Sequence, residues 1–474
     1  MEATSASEPH ITSITSRPCC VRWARYDAET AFEGIHRIVA YGTAEPHYNH
    51  VGVRAVNVSL GHAFGAEGYA YDGVVDDGAT ISPDDLCRIP VPSQVLDLHW
   101  TSPQSLLIAD RAGGVTHATL SGNGVAPAPD APLYSASDYT ELASRISWSG
   151  LVSREATLTS FDVYQQNPSF FAVGDSAGIV RVVSTANLAA GKTVEEATHA
   201  HFANTVAYNS QANLMPLMMQ AGLNMNMIRT LGLDMPQKPS QASTEGAPQP
   251  RSVTARAHST QTGMPATKTK FSSAGASSAG SIPTTLFTSS LAGHVIAWDL
   301  RTMSSSRSDF TQSPICVLRD PEAASVTALA THKSKTHLVA AGYHDGRISV
   351  WDIRAPQAAL STIQAHSSAV TEISFTSLIA TAAVLTASSD GTFCLFEYNR
   401  PSTAGSSTAL VLPGDVGESS SEKFSIQGPR DVSVASLYAG AHPVVAFDTD
   451  VHSRHLIAAS SGRELVHMPF PLIY

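Results

Sequence analysis

Residues Val326 to Arg354 read VTALATHKSKTHLVAAGYHDGRISVWDIR, and this stretch decides the fold. Val326 and Ala328 alternate about the polar Thr327, as the start of a half-buried strand does. A second strand is predicted over His337 to Gly342 and a third over Arg347 to Asp352, joined by His344-Asp345-Gly346. Asp-Gly suits a tight hairpin turn because glycine accepts a positive φ without steric cost. The unit recurs in both directions. Val370 to Tyr398 repeats it, with Asp390-Gly391 at the turn and Phe396 where Trp351 stood. Leu286 to Arg301 repeats its second half, with Gly293 at the turn and Trp298-Asp299 closing the strand. Leu158 to Ser184 and Val95 to Leu120 are weaker copies, and both ends of the chain carry degenerate ones. The first end unit runs from Val21 through Ile38 to Gly42 and on to Val58; the last lies between Val432 and Pro469. In the last unit two registers stay open, one with Val434 to Leu437 as its first strand and one beginning at Val444.

These units resemble the WD-repeat family, in which ~40–45 residues build one four-stranded blade. The resemblance rests on Trp298-Asp299, on Asp345-Gly346 with Trp351-Asp352, and on His366 with Asp390-Gly391, reinforced by regular spacing. It implies an all-β, seven-bladed WD40-type β-propeller occupying the whole chain of 474 residues. Ring closure is then expected from a strand near the N-terminus, for which His10 to Thr15 alternates adequately. Many propellers tie each blade with a His, Ser/Thr, Asp and Trp tetrad. The tetrads here read as incomplete, with Phe396 for Trp in the sixth unit and Asp320 near the expected His in the fifth. Stability is therefore expected to rest on apolar packing between blades.

Three stretches break the repeat. Residues 211–281 carry six Lys or Arg against Asp234 and Glu245, a net +4 that leaves −15 on the remainder of a chain of net −11. Lys238 to Ser281 is rich in Ser, Thr, Gln, Ala, Pro and Gly and is predicted to be disordered, since it cannot bury enough apolar surface. The insertion is expected inside a hairpin of blade four, with Asn204 to Asn209 as that blade's first strand. Its opening is different in kind: Met215, Met218, Met219, Met225 and Met227 make a soft apolar segment. This segment is read either as a docking peptide or as an arm lying over its own propeller. Residues 401–430 are expected to form a flexible loop between blades six and seven, and Ser121 to Ser147 to connect blades two and three.

Composition narrows the function. Only 15% of residues are charged while 43% are hydrophobic, which fits strands buried on both faces. The net charge argues against a nucleic-acid partner, because no basic surface able to neutralise several phosphates is evident. Cys19, Cys20, Cys87, Cys316 and Cys394 form no CxxC pair and read as reduced thiols of a cytosolic or nuclear protein. No apolar run approaches the ~18 residues of a membrane span, and the polar Met1 to Arg17 lacks a signal core. Catalytic motifs, paired metal-ligand spacings and cofactor fingerprints are absent, so neither an enzyme, nor a metal or cofactor site, nor a small-molecule substrate is expected. Asp345 and Asp390 sit at equivalent turn positions and read as turn caps. His199-x-His201 has a spacing that a metal could use but reads as two loop or strand-end residues. Trp298-Asp299-Leu300-Arg301 and Trp351-Asp352-Ile353-Arg354 both read WDxR. In some WD-repeat proteins that box contacts the adaptor of a cullin-type ubiquitin ligase; the ordinary reading is an Asp–Arg pair finishing a strand.

The order of features also resembles the small WD-repeat nucleoporins, of the forty-three-kilodalton type, from the Y-shaped outer-ring complex of the nuclear pore. The resemblance is carried by Ser93 to Leu98 with Leu106 to Val115, by Leu286 to Arg301 with Val326 to Arg354, and by Gln364 to Tyr398. Val432 to Asp450 carries it most distinctively, because that stretch lacks WD character. The Met-rich insertion and the segment after Asp450 depart from the pattern. The resemblance implies a scaffold at the nuclear pore, in the nucleus, that binds helical-scaffold nucleoporins in the short arm of the Y complex. It assigns no contact residue.

Overall fold

The computed structural model describes residues 9–24, 37–57, 80–121, 139–153, 155–204, 264–272, 282–302, 314–320, 324–376, 383–398, 432–450 and 455–469. Their strands form seven antiparallel sheets. Blade five is Val326–Thr331, Leu338–Tyr343, Arg347–Asp352 and Ser361–Gln364, from the ring axis outward. Blades two and three follow the same meander, starting at Val95–Ser102 and Leu158–Val163. Blade one uses Pro18–Trp23, Arg37–Thr43, Asn49–Asn57 and Cys87–Val91, with Thr80–Ile81 also paired to its third strand. The innermost strands neighbour one another in cyclic order, and that of blade seven lies beside that of blade one.

Closure follows the sequence expectation. His10–Ser13 is the outer strand of blade seven and pairs antiparallel with Glu464–Pro469, His10 opposite His467. The rest of that blade is Val444–Asp450 and His455–Ser460, which settles its register in favour of the unit beginning at Val444. Val432–Ala439 is instead the outer strand of blade six, paired to Thr392–Tyr398.

Three connections differ from expectation, two because the outer strand of a divergent blade carries no motif and one because an inner strand lies in a low-complexity stretch. Residues 399–431 join the third and fourth strands of blade six, and so do not link blades six and seven. Likewise 122–140 lies within blade two, ahead of its outer strand Glu141–Trp148. In blade four the first strand is Ala266–Phe271, inside the stretch expected to be unstructured, and it pairs with Thr285–Ser290. The insertion therefore occupies 205–263, between the outer strand of blade three, Thr198–Ala203, and the inner strand of blade four. Met215, Met218, Met219, Met225 and Met227 lie outside the described residues.

The core sits between blades. Second and third strands are buried on both faces, as in Leu338–Tyr343, which is why they read as apolar runs. One cluster joins Ile38, Val53 and Ile89 of blade one to Leu98, Trp100 and Ile108 of blade two. Another joins Phe393 and Leu395 of blade six to Phe447, Leu456 and Val466 of blade seven. Blades approach closely at small residues. A Cβ on Gly42 would lie 2.5 Å from Val95 of the next blade, and one on Gly342 would lie 2.5 Å from Val370. The turns between second and third strands are tight, with φ of +87° at Gly346 and +86° at Gly391. No helix among the described residues is long and apolar enough to cross a membrane.

Candidate functional site

The WD residues sit where strand ends meet turns, and three blades solve the same bonding problem differently. In blade six, His366 Nδ1 is 2.8 Å from Thr392 Oγ1 and Nε2 is 2.7 Å from Thr386 Oγ1. Asp390 accepts from the Thr392 N–H and hydroxyl and from the Ser367 N–H. Burial opposes its charge, but these bonds and His366 hold its carboxyl at about 2. Phe396, 1% exposed, fills the Trp position and offers no N–H. In blade five, Asp345 accepts from the Arg347 N–H and guanidinium, and Arg347 also reaches Asp320 at 3.8 Å. Trp351 is 1% exposed, and its Nε1 has no hydrogen-bond partner among the described residues.

Blade four contains a device that the sequence did not reveal. Trp298 Nε1 donates to Thr288 Oγ1 at 2.8 Å, and the Thr288 hydroxyl donates to Asn204 Oδ1 at 2.8 Å. Asn204 Nδ2 donates to the carbonyls of Ser289 (3.3 Å) and Met264 (3.1 Å). The Met264 N–H returns a 3.1 Å bond to the Asn204 carbonyl. Asn204, 1% exposed, thus does the work of the tetrad histidine and clasps together the two ends of the insertion. An isolated Asn after a strand carries no motif, so only its position opposite Thr288 reveals it.

The two WDxR boxes adopt one geometry on successive blades. Arg301 forks onto Asp299 with contacts of 2.9 and 2.8 Å, and Arg354 onto Asp352 with contacts of 3.0 and 2.8 Å. The Arg301 side chain is 72% exposed and that of Arg354 38%. Both lie at the end of a third strand. That face of the ring also bears the first-to-second connections, and the strand ends bounding 25–36, 58–79, 273–281, 303–313, 399–431 and 451–454 all lie on it. The insertion leaves and re-enters on the opposite face, beside the tight turns.

Around the axis, polar side chains of the innermost strands form a belt. Arg22 of blade one lies 3.0 Å from Asp97 of blade two and 3.0 Å from Glu372 of blade six. Lys270 of blade four lies 3.0 Å from Asp162 of blade three. The carboxylates also accept backbone N–H groups from the following blade. Asp162 takes that of Phe271, Glu372 that of Phe447 and Asp448 that of Trp23, each at 2.9 Å. Burial disfavours the charges on Arg22 and Lys270, yet the neighbouring carboxylates outweigh it and raise both pKa values. Asp97 is held far below the usual carboxylate range against its burial, chiefly by Arg22. On the WDxR side of this belt an axial cavity of about 440 Å³ opens between Tyr164, Ser272 and Thr331. Among the described residues no group of three His, Cys, Asp or Glu is placed to hold a metal ion.

Ring, repeat and closure together make the protein a seven-bladed WD-repeat-type β-propeller. The Vps8 β-propeller family matches residues 293–420, little more than a quarter of the chain. The chain also resembles nuclear pore complex protein nup43 of Dictyostelium discoideum, with 26% identity over 174 residues. That similarity covers 37% of this chain and 38% of the relative's length.

Proposed function

We propose that the protein is a non-enzymatic scaffold of the nuclear pore's outer ring, binding helical-scaffold nucleoporins of the Y complex and so serving pore assembly, nucleocytoplasmic transport and mRNA export. The observation that carries this reading is the similarity to nup43 in a chain built as a complete propeller. The belt supports a binding role, because its carboxylates are engaged by backbone N–H groups and cations of the ring itself. Propellers of this kind present broad faces to protein partners, and the face bearing the WDxR boxes also gathers long connections. A fluorescent fusion of the full chain tests the reading: it is expected at the nuclear rim, and diffuse cytoplasmic signal without rim enrichment contradicts it.

A second reading draws on Arg301 and Arg354, two exposed guanidinium groups in equivalent positions of adjacent blades. On this reading the two groups contact the adaptor of a cullin-type ubiquitin ligase, and the protein is a substrate receptor. Loss of adaptor binding in a stably folded Arg354→Ala protein would favour this role over the scaffold.

A further inference from the structure

Each blade ends in an outer strand, and that of blade two is the least covered among the described residues. Glu141–Trp148 is eight residues long, and six of them are exposed. The outer strands of blades one, three, four, five and seven are four to six residues long, and none is exposed over more than half its length. Val432–Ala439 matches it in length, but only three of its six described side chains are exposed. Short strands, buried side chains and prolines such as Pro90 keep a free edge from pairing. Blade two has one such device, a β-bulge between Leu142 and Ser144, and it leaves Ser144 to Trp148 in regular register with Thr119 to Val115.

The ladder fixes which way the backbone groups of this strand point. The Leu120 N–H bonds the Gln104 carbonyl, so Leu120, Ala118 and Thr116 turn their N–H and C=O groups toward the second strand, Ser105–Asp110. Thr119, His117 and Val115 turn theirs the other way and meet Ser144, Ile146 and Trp148. Arg145 and Ser147 therefore direct their N–H and C=O groups away from the sheet, where among the described residues they have no hydrogen-bond partner. The side chains along the edge are of two kinds. Ile146, 43% exposed, stands on the same face as Trp148, whose ring stacks on His117 at 6.4 Å. Arg145 stands on the opposite face, exposed, and its guanidinium makes no hydrogen bond or ion pair among the described residues.

We propose that Glu141–Trp148 is a docking edge for an extended segment of a partner protein, which adds a fifth, antiparallel strand to blade two. The backbone of that segment exchanges hydrogen bonds with Arg145 and Ser147, so recognition is chiefly through the main chain. Its residue opposite Arg145 is acidic. The next residue, opposite Ile146, is apolar, because neighbours along a strand face opposite sides of the sheet. The edge stands independently of where in the cell the protein resides.

Amide exchange of the full chain is the first test. The Arg145 and Ser147 amides are expected to exchange faster than those of Ser144 and Ile146; slow exchange at all four means that the protein's own chain already covers the edge, and overturns the assignment. Calorimetric titration follows, with a capped nonapeptide of alternating threonine and valine as the probe. Its central threonine is replaced by glutamate, and its valines are N-methylated so that it cannot stack on itself. This peptide is expected to bind saturably in the millimolar range or below, and the same peptide N-methylated on its threonines and glutamate instead at least tenfold more weakly. Arg145→Pro and Ser147→Pro each remove one outward N–H and no ladder bond, so either reports if the other fails to fold. Each is expected to weaken binding at least tenfold, whereas Arg145→Ala keeps the N–H and weakens it less. No saturable heat, equal binding of the two peptides, or equal losses in folded Arg145→Pro and Arg145→Ala proteins overturns the assignment. So does a dimer seen by sedimentation of the unaltered chain and lost in Arg145→Pro, which gives the edge to a second copy.

Discussion

Asn204 ties the end of blade three to the first two strands of blade four. Its side chain makes three hydrogen bonds, to Met264, Ser289 and Thr288, from a position 1% exposed. Asn204→Ala removes all three and leaves two carbonyls and the Thr288 hydroxyl to find other partners. At a net ~1 kcal/mol for each lost bond, the expected cost is about 3 kcal/mol, and more if water does not reach the gap. Asn204→Asp separates the contributions. A carboxylate still accepts from Thr288, but it cannot donate to either carbonyl and places negative charge against both, so it should cost at least as much. Denaturant unfolding of the full chain, followed by tryptophan fluorescence, measures both variants. A third arm replaces 205–263 with a short Gly-Ser link. For a flexible connection, shortening 59 residues to four lowers the closure cost by about 2 kcal/mol. In that background the clasp matters less, and Asn204→Ala should cost less than in the parent. A loss below ~1 kcal/mol for Asn204→Ala in the parent chain would refute the clasp.

Removing 238–281 rather than 205–263 takes the strand Ala266–Phe271 with it and should prevent cooperative folding; a native unfolding transition in that deletion would contradict the blade-four assignment. Truncation through Ser13 opens blade seven along Glu464–Pro469, and the melting temperature should fall; an unchanged value argues against closure by His10–Ser13. Trp298→Phe should destabilise more than Trp351→Phe, by about 1 kcal/mol, because only the Trp298 Nε1–H is bonded to Thr288; equal losses would sink the distinction. His467 is buried as a neutral ring 3.2 Å from His455, and its pKa is lowered from 6.5 to about 3 by burial, then by His455 and His10. As pH falls from 6.5 toward 3 the unfolded chain takes a proton that the folded one refuses, so stability declines across that window and gains nothing from this group above it. A His467→Phe protein should show a flatter decline between those pH values, and an identical pH profile would contradict the assignment.

The repeat was legible wherever a turn glycine and a Trp-Asp pair coincide, as in Gly346 with Trp351-Asp352, because both report local backbone geometry. Closure by His10–Ser13 was legible from alternation and from the need for a partner to the last sheet. Outer strands were not. Glu141–Trp148 is a largely exposed edge strand, and it and Val432–Ala439 are held by backbone bonds, which need no distinctive side chains. Ala266–Phe271 was hidden for a related reason. Its lysines read as part of a basic, low-complexity run, yet Lys270 turns inward onto Asp162. The axial belt was invisible as a whole, because Arg22, Asp97, Asp162, Lys270, Glu372 and Asp448 come from six different repeats. Only closure of the ring brings them together.

The central claim, a propeller that serves as a nucleoporin-like protein scaffold, is tested most directly by affinity capture of the tagged full chain followed by mass spectrometry. The account predicts recovery of outer-ring nucleoporins in near-stoichiometric amounts, helical-scaffold subunits foremost. Recovery of a cullin and its adaptor with no outer-ring nucleoporins would contradict it.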